Sequence, residues 1–562
     1  MPPGTPRTAL LLLAPVAYAA ITLITAPWWT VDDAYILFRY ARHWVTTGIP
    51  VWNPGEPAVE GYTGTLYLAL LAAGHGATAL PLEALAKAIG LGAYTATALV
   101  LWLLLRDLHI RTSLRIGALA LYFTAAFLFT HALSGLETML FVALLTTAVW
   151  LSVRVVSSKF QGFPTIVSLV GILLLLSLVR PEGMLFACAL IAGILLRPSV
   201  HKKRYFPFRF ALRLELPRSF VLAFPTIFLL PLGIVTLWRW HLYGDLLPNT
   251  YYAKQANGLG LAALFSFLEF AAQYWAIPAA IAVVLSVVEW EAMVQRLRQY
   301  FRQYTPLGMS LGGATLILLA EYSRSTLQMN YAHRFWAMLY PLGLCLAAVL
   351  MEHGLRTTEV TASVRPLRFR RLKQITLGLL ALQLAVHVGL WRWQERKFLR
   401  DYHRLLNEEH AAAAEFLQRL LPQDAWIVVY PDAGLIPYRT ALPTIDGGRL
   451  SDRFLARHQW SGSAQDSSIL SYFFARQPAA FIFKSRRDDR LRLNAEAEAL
   501  IDDPRFAPYL LAASFRTQAR RFSESYFLLV FVHQRFLKQI SRLMPTTLSV
   551  ANPGVLLRVD PL

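Results

Sequence analysis

Eleven apolar runs dominate the first 391 residues of this 562-residue chain. They lie near positions 9–28, 84–105, 116–133, 138–153, 164–179, 182–197, 219–238, 261–288, 306–321, 335–352 and 374–391. Several approach the ~18–20 apolar residues that carry a helix across a bilayer. In hydrocarbon every backbone N–H and C=O has to be paired inside the segment, so runs of this kind fold as helices. Hydrophobic residues make up 56% of the chain and charged ones 16%, too apolar for an ordinary soluble protein. The predicted fold class is a polytopic α-helical membrane protein of about 11 transmembrane helices, with a C-terminal soluble domain.

The net charge of +20 would suggest nucleic acid in a soluble chain. Here the basic residues cluster between apolar runs. Arg106, Arg111 and Arg115 form one group, and Lys202, Lys203, Arg204, Arg209, Arg213 and Arg218 a second. Arg296, Arg298 and Arg302 form a third, and Arg356, Arg365, Arg368, Arg370, Arg371 and Lys373 a fourth. With the amino terminus inside, all four fall on the cytoplasmic side, as the positive-inside rule requires. The run at 64–80 would reverse this if it crossed the membrane. Gly74, His75 and Gly76 interrupt it, and it is read as an interfacial or re-entrant helix. The first run is read as a retained span with Arg7 on the cytoplasmic side, not as a cleaved leader. The expected location is the inner (cytoplasmic) membrane, multi-pass, with the C-terminal domain extracytoplasmic. Cys188 and Cys345 both sit inside apolar runs, so no disulfide framework or zinc spacing is present.

Two domains are expected: residues 1–391, a membrane catalytic domain with a long first outer loop at 29–83, and residues 392–562, an extracytoplasmic α/β or α+β domain. In the latter AAAAEFLQRLL (411–421) reads as an amphipathic helix. WIVVY (426–430), AAFIFK (479–484) and YFLLVFV (526–532) read as short buried strands.

Under this topology the polar motifs gather on the outer face. The stretch at 31–63 carries the adjacent carboxylates Asp32 and Asp33, then Arg39, Glu56, Glu60 and Tyr62. SGLET supplies Glu137, RPEG supplies Arg180 and Glu182, and PNTYYAK supplies Asn249, Tyr252 and Lys254. AHRF supplies His333 and Arg334, YPDAG supplies Asp432, and TIDGG supplies Asp446. Ionisable residues beside membrane spans are costly and mark sites, and paired carboxylates split their protonation behaviour in a way that suits acid–base work. Structural alternatives stand beside each. Asp32 can cap a helix starting at Asp33, and Asn249 one near Thr250. Arg39 can pair with a carboxylate, and Arg180 with Glu182 around Pro181. Glu56 and Glu60 can face water. Glu137 suits a helix amino terminus, Arg334 can snorkel to headgroups, and Asp432 and Asp446 suit turns.

The chemistry such a chamber suits is sugar transfer from a lipid phosphate. Cleaving the anomeric C–O bond leaves negative charge on the departing phosphate. A carboxylate can take the acceptor hydroxyl's proton, Arg or Lys can stabilise the leaving phosphate, and Tyr and Trp can stack on sugar faces. The motifs DDAYILFRYAR, NPGE and VEGYT, followed by GLET, RPEG, PNTYYAK and HRF, resemble the GT-C class of integral membrane glycosyltransferases. They are similar in particular to the actinobacterial terminal arabinofuranosyltransferases and their bacterial relatives. That resemblance implies a polyprenyl-phosphate sugar as donor and a cell-envelope glycan or lipid as acceptor, in cell wall biogenesis. It also implies Asp32 and Asp33 as the catalytic carboxylates. Lys254, Arg334 and His333 are then expected to hold the donor phosphate in an inverting displacement. Asp32, Asp33 and Glu60 can offer oxygen ligands to a divalent metal, although no spacing demands one. A flippase or transporter of lipid-linked sugars would place polar residues near mid-span and pair its halves. A non-catalytic envelope scaffold would leave the Asp-Asp pair without a role.

Overall fold

A computed structural model describes the chain except residues 1–5, 158–161, 196–217, 255–259, 288–303, 305–306, 310, 325–326, 328, 363–365, 459–466, 486–494, 518–526, 538–554 and 557–562. Of the basic residues grouped above, Lys202, Lys203, Arg204, Arg209, Arg213, Arg296, Arg298, Arg302 and Arg365 lie outside the described residues. The chain forms two compact units. A helical unit comprises Met1–Ala26, Lys87–Leu237 and Ala256–Arg396, and a second unit comprises Pro27–Ala86, Trp238–Gln255 and Lys397–Leu562.

Each of the eleven apolar runs carries helix among the described residues. Among the described residues five segments are long and apolar enough to cross a membrane: Leu82–Asp107, Thr138–Val156, Ser219–Tyr243, Tyr331–Arg356 and Gln374–Leu420. A sixth is added if Thr112–Thr124 and Ala126–Leu133, bent by 56° about Ala125, form one span. The protein is thus a polytopic helical membrane protein with five or six candidate spans by length, fewer than the eleven runs. Part of the difference is length. Phe163–Val179 has 17 residues and Glu182–Leu195 has 14, rising only ~26 and ~21 Å at 1.5 Å per residue, short of the ~30 Å hydrocarbon thickness. The run at 261–288 is broken at Trp275 into Ala262–Tyr274 and Ala276–Val287.

The second unit contains the helix Asp32–Thr47, the helix Thr65–Thr78 and a six-stranded mixed sheet. Thr65–Thr78 has 14 residues, about 21 Å, so the interrupted run at 64–80 is too short to span. The strands are β1 (Ile427–Tyr430), β2 (Thr444–Asp446), β3 (Ala480–Ser485), β4 (Tyr509–Arg516), β5 (Phe527–His533) and β6 (Val555–Leu556), in the order β2-β1-β3-β5-β4-β6. β1 pairs in parallel with β2 and β3, and the remaining pairings are antiparallel. Side chains alternate between two cores. Ile427, Val429, Ile482 and Val530 face one, with Leu417 and Ile436. Val428, Phe481, Phe483 and Leu529 face the other, with Ile469, Phe473 and Leu500. Burial on both faces explains why β1, β3 and β5 read as unbroken apolar runs.

β1 lies between its two successors, with the connection through Ile436 on one face and the connection through Ile469 and Phe473 on the other. Connections that pass over opposite faces of a parallel strand open a crevice at its carboxyl end. That end is Tyr430, followed by Pro431, Asp432, Ala433 and Gly434.

Candidate functional site

In the sheet-bearing unit the adjacent aspartates have different environments. The helix Asp32–Thr47 begins after Val31, which makes no side-chain cap, and Asp32 does not cap its own helix. Its carboxylate reaches the loop after β1, accepting the N–H of Gly434 at 2.9 Å and of Leu435 at 2.8 Å. Its own N–H donates to the Tyr402 hydroxyl at 3.1 Å. Asp32 is 5% exposed. Burial, then the nearby Asp432, pushes its carboxyl well above the usual range, and the Leu435 N–H opposes them. Asp33, the next residue, is only half-buried.

Gly434 makes this approach possible. A Cβ there would lie 2.0 Å from the Asp32 carbonyl and 2.5 Å from Oδ2. Gly434→Ala is therefore expected to cost about 1–3 kcal/mol, read as a lower midpoint in thermal unfolding. An unchanged midpoint would mean that this contact is not formed.

The crevice at the ends of β1 and β3 contains residues that the sequence reading passed over. Lys484 Nζ lies 3.9 Å from Asp432 Oδ2. Glu409 is fully buried and accepts the Thr517 N–H at 2.5 Å. Glu409 and His410 belong to a π-helical turn, Leu406–Ala411, a distortion that recurs at functional sites. Their sequence signal is LNEEH running straight into an alanine-rich helix.

Other expected site residues of this unit are held by protein partners. Arg39 is fully buried. Its Nε donates to the Trp52 carbonyl at 2.9 Å, and its terminal nitrogens donate to the carbonyls of Pro437 and Leu442 and to Asn53 Oδ1. It also lies over the Trp52 ring, 4.6 Å from the centroid. Glu60 accepts two bonds from Arg239, each 2.7 Å. The Tyr62 hydroxyl meets that of Tyr243 at 2.9 Å, and Glu56 accepts from Arg476 at 2.6 Å. Asn249 does not cap its helix. Its amide nitrogen lies within bonding distance of the carbonyls of Arg449, Leu450 and Asp452. Tyr252 packs under Arg457, and Lys254 is exposed at the end of the same short helix.

Asp446, the last residue of β2, is buried and accepts the Ser451 N–H at 2.7 Å. Burial lifts its carboxyl to about 7 from an ordinary 3.8, against that hydrogen bond. A carboxyl raised on folding binds its proton more tightly in the native state. Its stabilisation is therefore full below the unfolded value and lost as pH rises from about 4 to about 7. Asp446→Asn is expected to flatten the fall in unfolding midpoint across that window. An unchanged slope would remove Asp446 as its source.

A divalent metal held by Asp32, Asp33 and Glu60 does not fit this arrangement. Among the described residues no three His, Cys, Asp or Glu side chains gather as metal ligands. Glu60 is engaged by Arg239, and both Asp32 oxygens are engaged by amides.

The helical unit brings SGLET, RPEG and HRF together. Arg180 donates to Glu137 at 2.7 Å and to Glu182 at 2.8 Å. Arg334 donates to Glu137 at 3.1 Å and to the Thr138 hydroxyl at 3.2 Å. The Tyr322 hydroxyl donates to Glu182 at 2.8 Å. Pro181 forces Arg180 out of helical geometry, to φ −151° and ψ 148°, so one helix ends and the next begins around it. At Gly183 a Cβ would lie 2.0 Å from the Leu176 carbonyl. Before Arg334, Ala332 and His333 take left-handed φ of 46° and 54°. Such strain costs about 1–3 kcal/mol per residue and clusters at functional sites. His333 Nε2 meets Gln273 Oε1 at 2.9 Å. Lys87, a further residue missed from sequence, is 1% exposed and donates to the Leu133 carbonyl at 3.2 Å. Its signal was a single lysine in an otherwise apolar run.

Residues 398–531 match a family model described as a domain of unknown function, DUF8728. No curated protein matches the chain. Among solved structures it is similar to archaeal oligosaccharyltransferase AglB from Archaeoglobus fulgidus, in complex with an inhibitory peptide and a dolichol-phosphate. The TM-score is 0.50 and the identity 11%, over 91% of this chain and 73% of that one. It is also similar to ArnT from Cupriavidus metallidurans, in the apo state and bound to undecaprenyl phosphate. There the TM-score is 0.54 and the identity 11%, over 93% of this chain and 98% and 97% of the two ArnT chains. A polytopic helical unit with a C-terminal mixed-sheet domain in the ArnT-like fold is the architecture of this protein.

Proposed function

We propose that this protein is a GT-C glycosyltransferase. It moves a sugar from a polyprenyl-phosphate donor to a cell-envelope glycan or lipid on the outer face of the cytoplasmic membrane. This reading has the amino terminus inside, as the positive-inside rule requires. The ArnT-like fold supports the reading, and so do the lipid phosphates bound by ArnT and AglB.

The observation that carries it is the asymmetry of the aspartate pair. Asp32 is buried, while Asp33 beside it is half-buried and open to an acceptor hydroxyl. We assign the base to Asp33. The acceptor hydroxyl oxygen forms a bond to the anomeric carbon and its proton passes to Asp33. The anomeric C–O bond to phosphate breaks, and its electron pair leaves with the polyprenyl phosphate. Configuration inverts in this single displacement. Lys254, in the same unit as Asp33, is the cation assigned to the departing phosphate.

A deletion strain tests the reading directly. Mass spectrometry should find one polyprenyl-phosphate sugar accumulated and the corresponding residue missing from an envelope glycan, both restored by the native gene. Unaltered lipid-linked sugars and glycans would refute the proposal.

A further inference from the structure

A cleft of about 380 Å³ opens in the sheet-bearing unit, and its lining contains none of Asp32, Asp33 or Asp432. One wall comes from the first loop, with Trp52, Asn53 and Glu56. The others come from the turn after β2, the helix Arg453–Arg457, and Tyr472 with Arg476. The volume lies in the ~300–1,000 Å³ range of small-ligand sites.

Its walls are held in place by bonds made within the unit. Asp452 accepts the Leu455 N–H at 2.9 Å and the Tyr472 hydroxyl at 2.7 Å, which ties the helix Arg453–Arg457 to the Tyr472 ring. His458, Phe454 and Tyr472 form a stack, with centroids 3.9 Å apart and then 4.4 Å. Arg476 lies over Trp426 at 4.7 Å. A site whose groups are fixed by their own neighbours loses little entropy when it is filled.

The charges indicate what could fill it. Arg476 pairs with Glu56 at 2.6 Å, and Arg453 and Arg457 both pair with Asp245, at 2.9 and 2.8 Å. Each guanidinium already faces a carboxylate, which an added anion would meet with like-charge repulsion. A purely apolar ligand would leave these groups desolvated without new partners. Guanidinium donors and carboxylate acceptors interleaved with aromatic rings suit a ligand whose hydroxyls both donate and accept and whose C–H faces pack on rings.

We propose that this cleft binds a neutral oligosaccharide, as a holding site for the glycan acceptor. The acceptor role rests on the transferase reading above, whereas the binding does not.

Full-length protein in nanodiscs would be titrated by calorimetry with maltotetraose, cellotetraose, mannotetraose and arabinotetraose, and with tetragalacturonate as the anionic counterpart. At least one neutral tetrasaccharide should bind saturably and more tightly than tetragalacturonate. Glu56→Gln, Arg476→Gln and His458→Ala should each weaken that binding by about tenfold, while Asp33→Asn should leave it unchanged. No saturable binding of any neutral sugar, tighter binding of tetragalacturonate, or indifference to all three cleft substitutions would overturn the proposal. Neutral-sugar binding by a protein without transferase activity would refute the function while leaving this site standing. Full activity with no sugar binding in the cleft would do the reverse.

Discussion

Asp33→Asn should yield a folded, membrane-inserted protein whose sugar transfer from a polyprenyl-phosphate donor has fallen by about 10²–10⁴-fold, the usual contribution of a positioned general base. Asparagine keeps the size and one carbonyl oxygen of aspartate and replaces the basic oxygen with an NH₂ group. The neighbouring substitution should behave differently. Asp32 accepts two backbone N–H groups, and an Asn side chain would turn an NH₂ group toward one of them. A buried donor then goes unsatisfied, at about 1–3 kcal/mol, so Asp32→Asn should lower the unfolding midpoint. Single-turnover assays and thermal unfolding on both variants separate the roles. If Asp33→Asn stays active while Asp32→Asn is folded and inactive, the base is Asp32.

Arg180→Met should destabilise the helical unit by about 3–5 kcal/mol, the cost of breaking a buried ion pair from one side. Arg180 is hydrogen-bonded to both Glu137 and Glu182, and these carboxylates are 5% and 16% exposed. Without it Glu137 keeps Arg334 and Glu182 keeps Tyr322, two partners in place of three. Adding Glu182→Gln to Arg180→Met removes one uncompensated charge and should restore part of the loss. Unfolding midpoints in one detergent for both variants would decide this. Equal midpoints for native protein and Arg180→Met would show that the network does not hold the unit together.

Much of the architecture was legible from local pattern. The apolar runs became helices because backbone pairing in hydrocarbon leaves little choice. β1, β3 and β5 fell within a residue of the expected segments because strands buried on both faces write unbroken apolar runs. β2 was missed because its three residues are too few to show a period. β4, whose burial changes irregularly along YLLAASFR, showed no clean alternation. RPEG announced its own break, since proline excludes helical geometry from the residue before it.

Charge partners were a different matter. Sequence placed Asp32 and Asp33 side by side and offered no reason to prefer either as base. Gly434, whose amide binds Asp32, lies 402 positions away. Arg39 and Glu60 looked like ligands for a substrate until Leu442, 403 positions on, and Arg239, 179 positions on, became their partners. Hydrophobic periodicity acts over a few residues and can be read along a line. A hydrogen bond to a buried ionised group is decided by whichever atoms folding brings within about 3 Å, and only the folded chain specifies those.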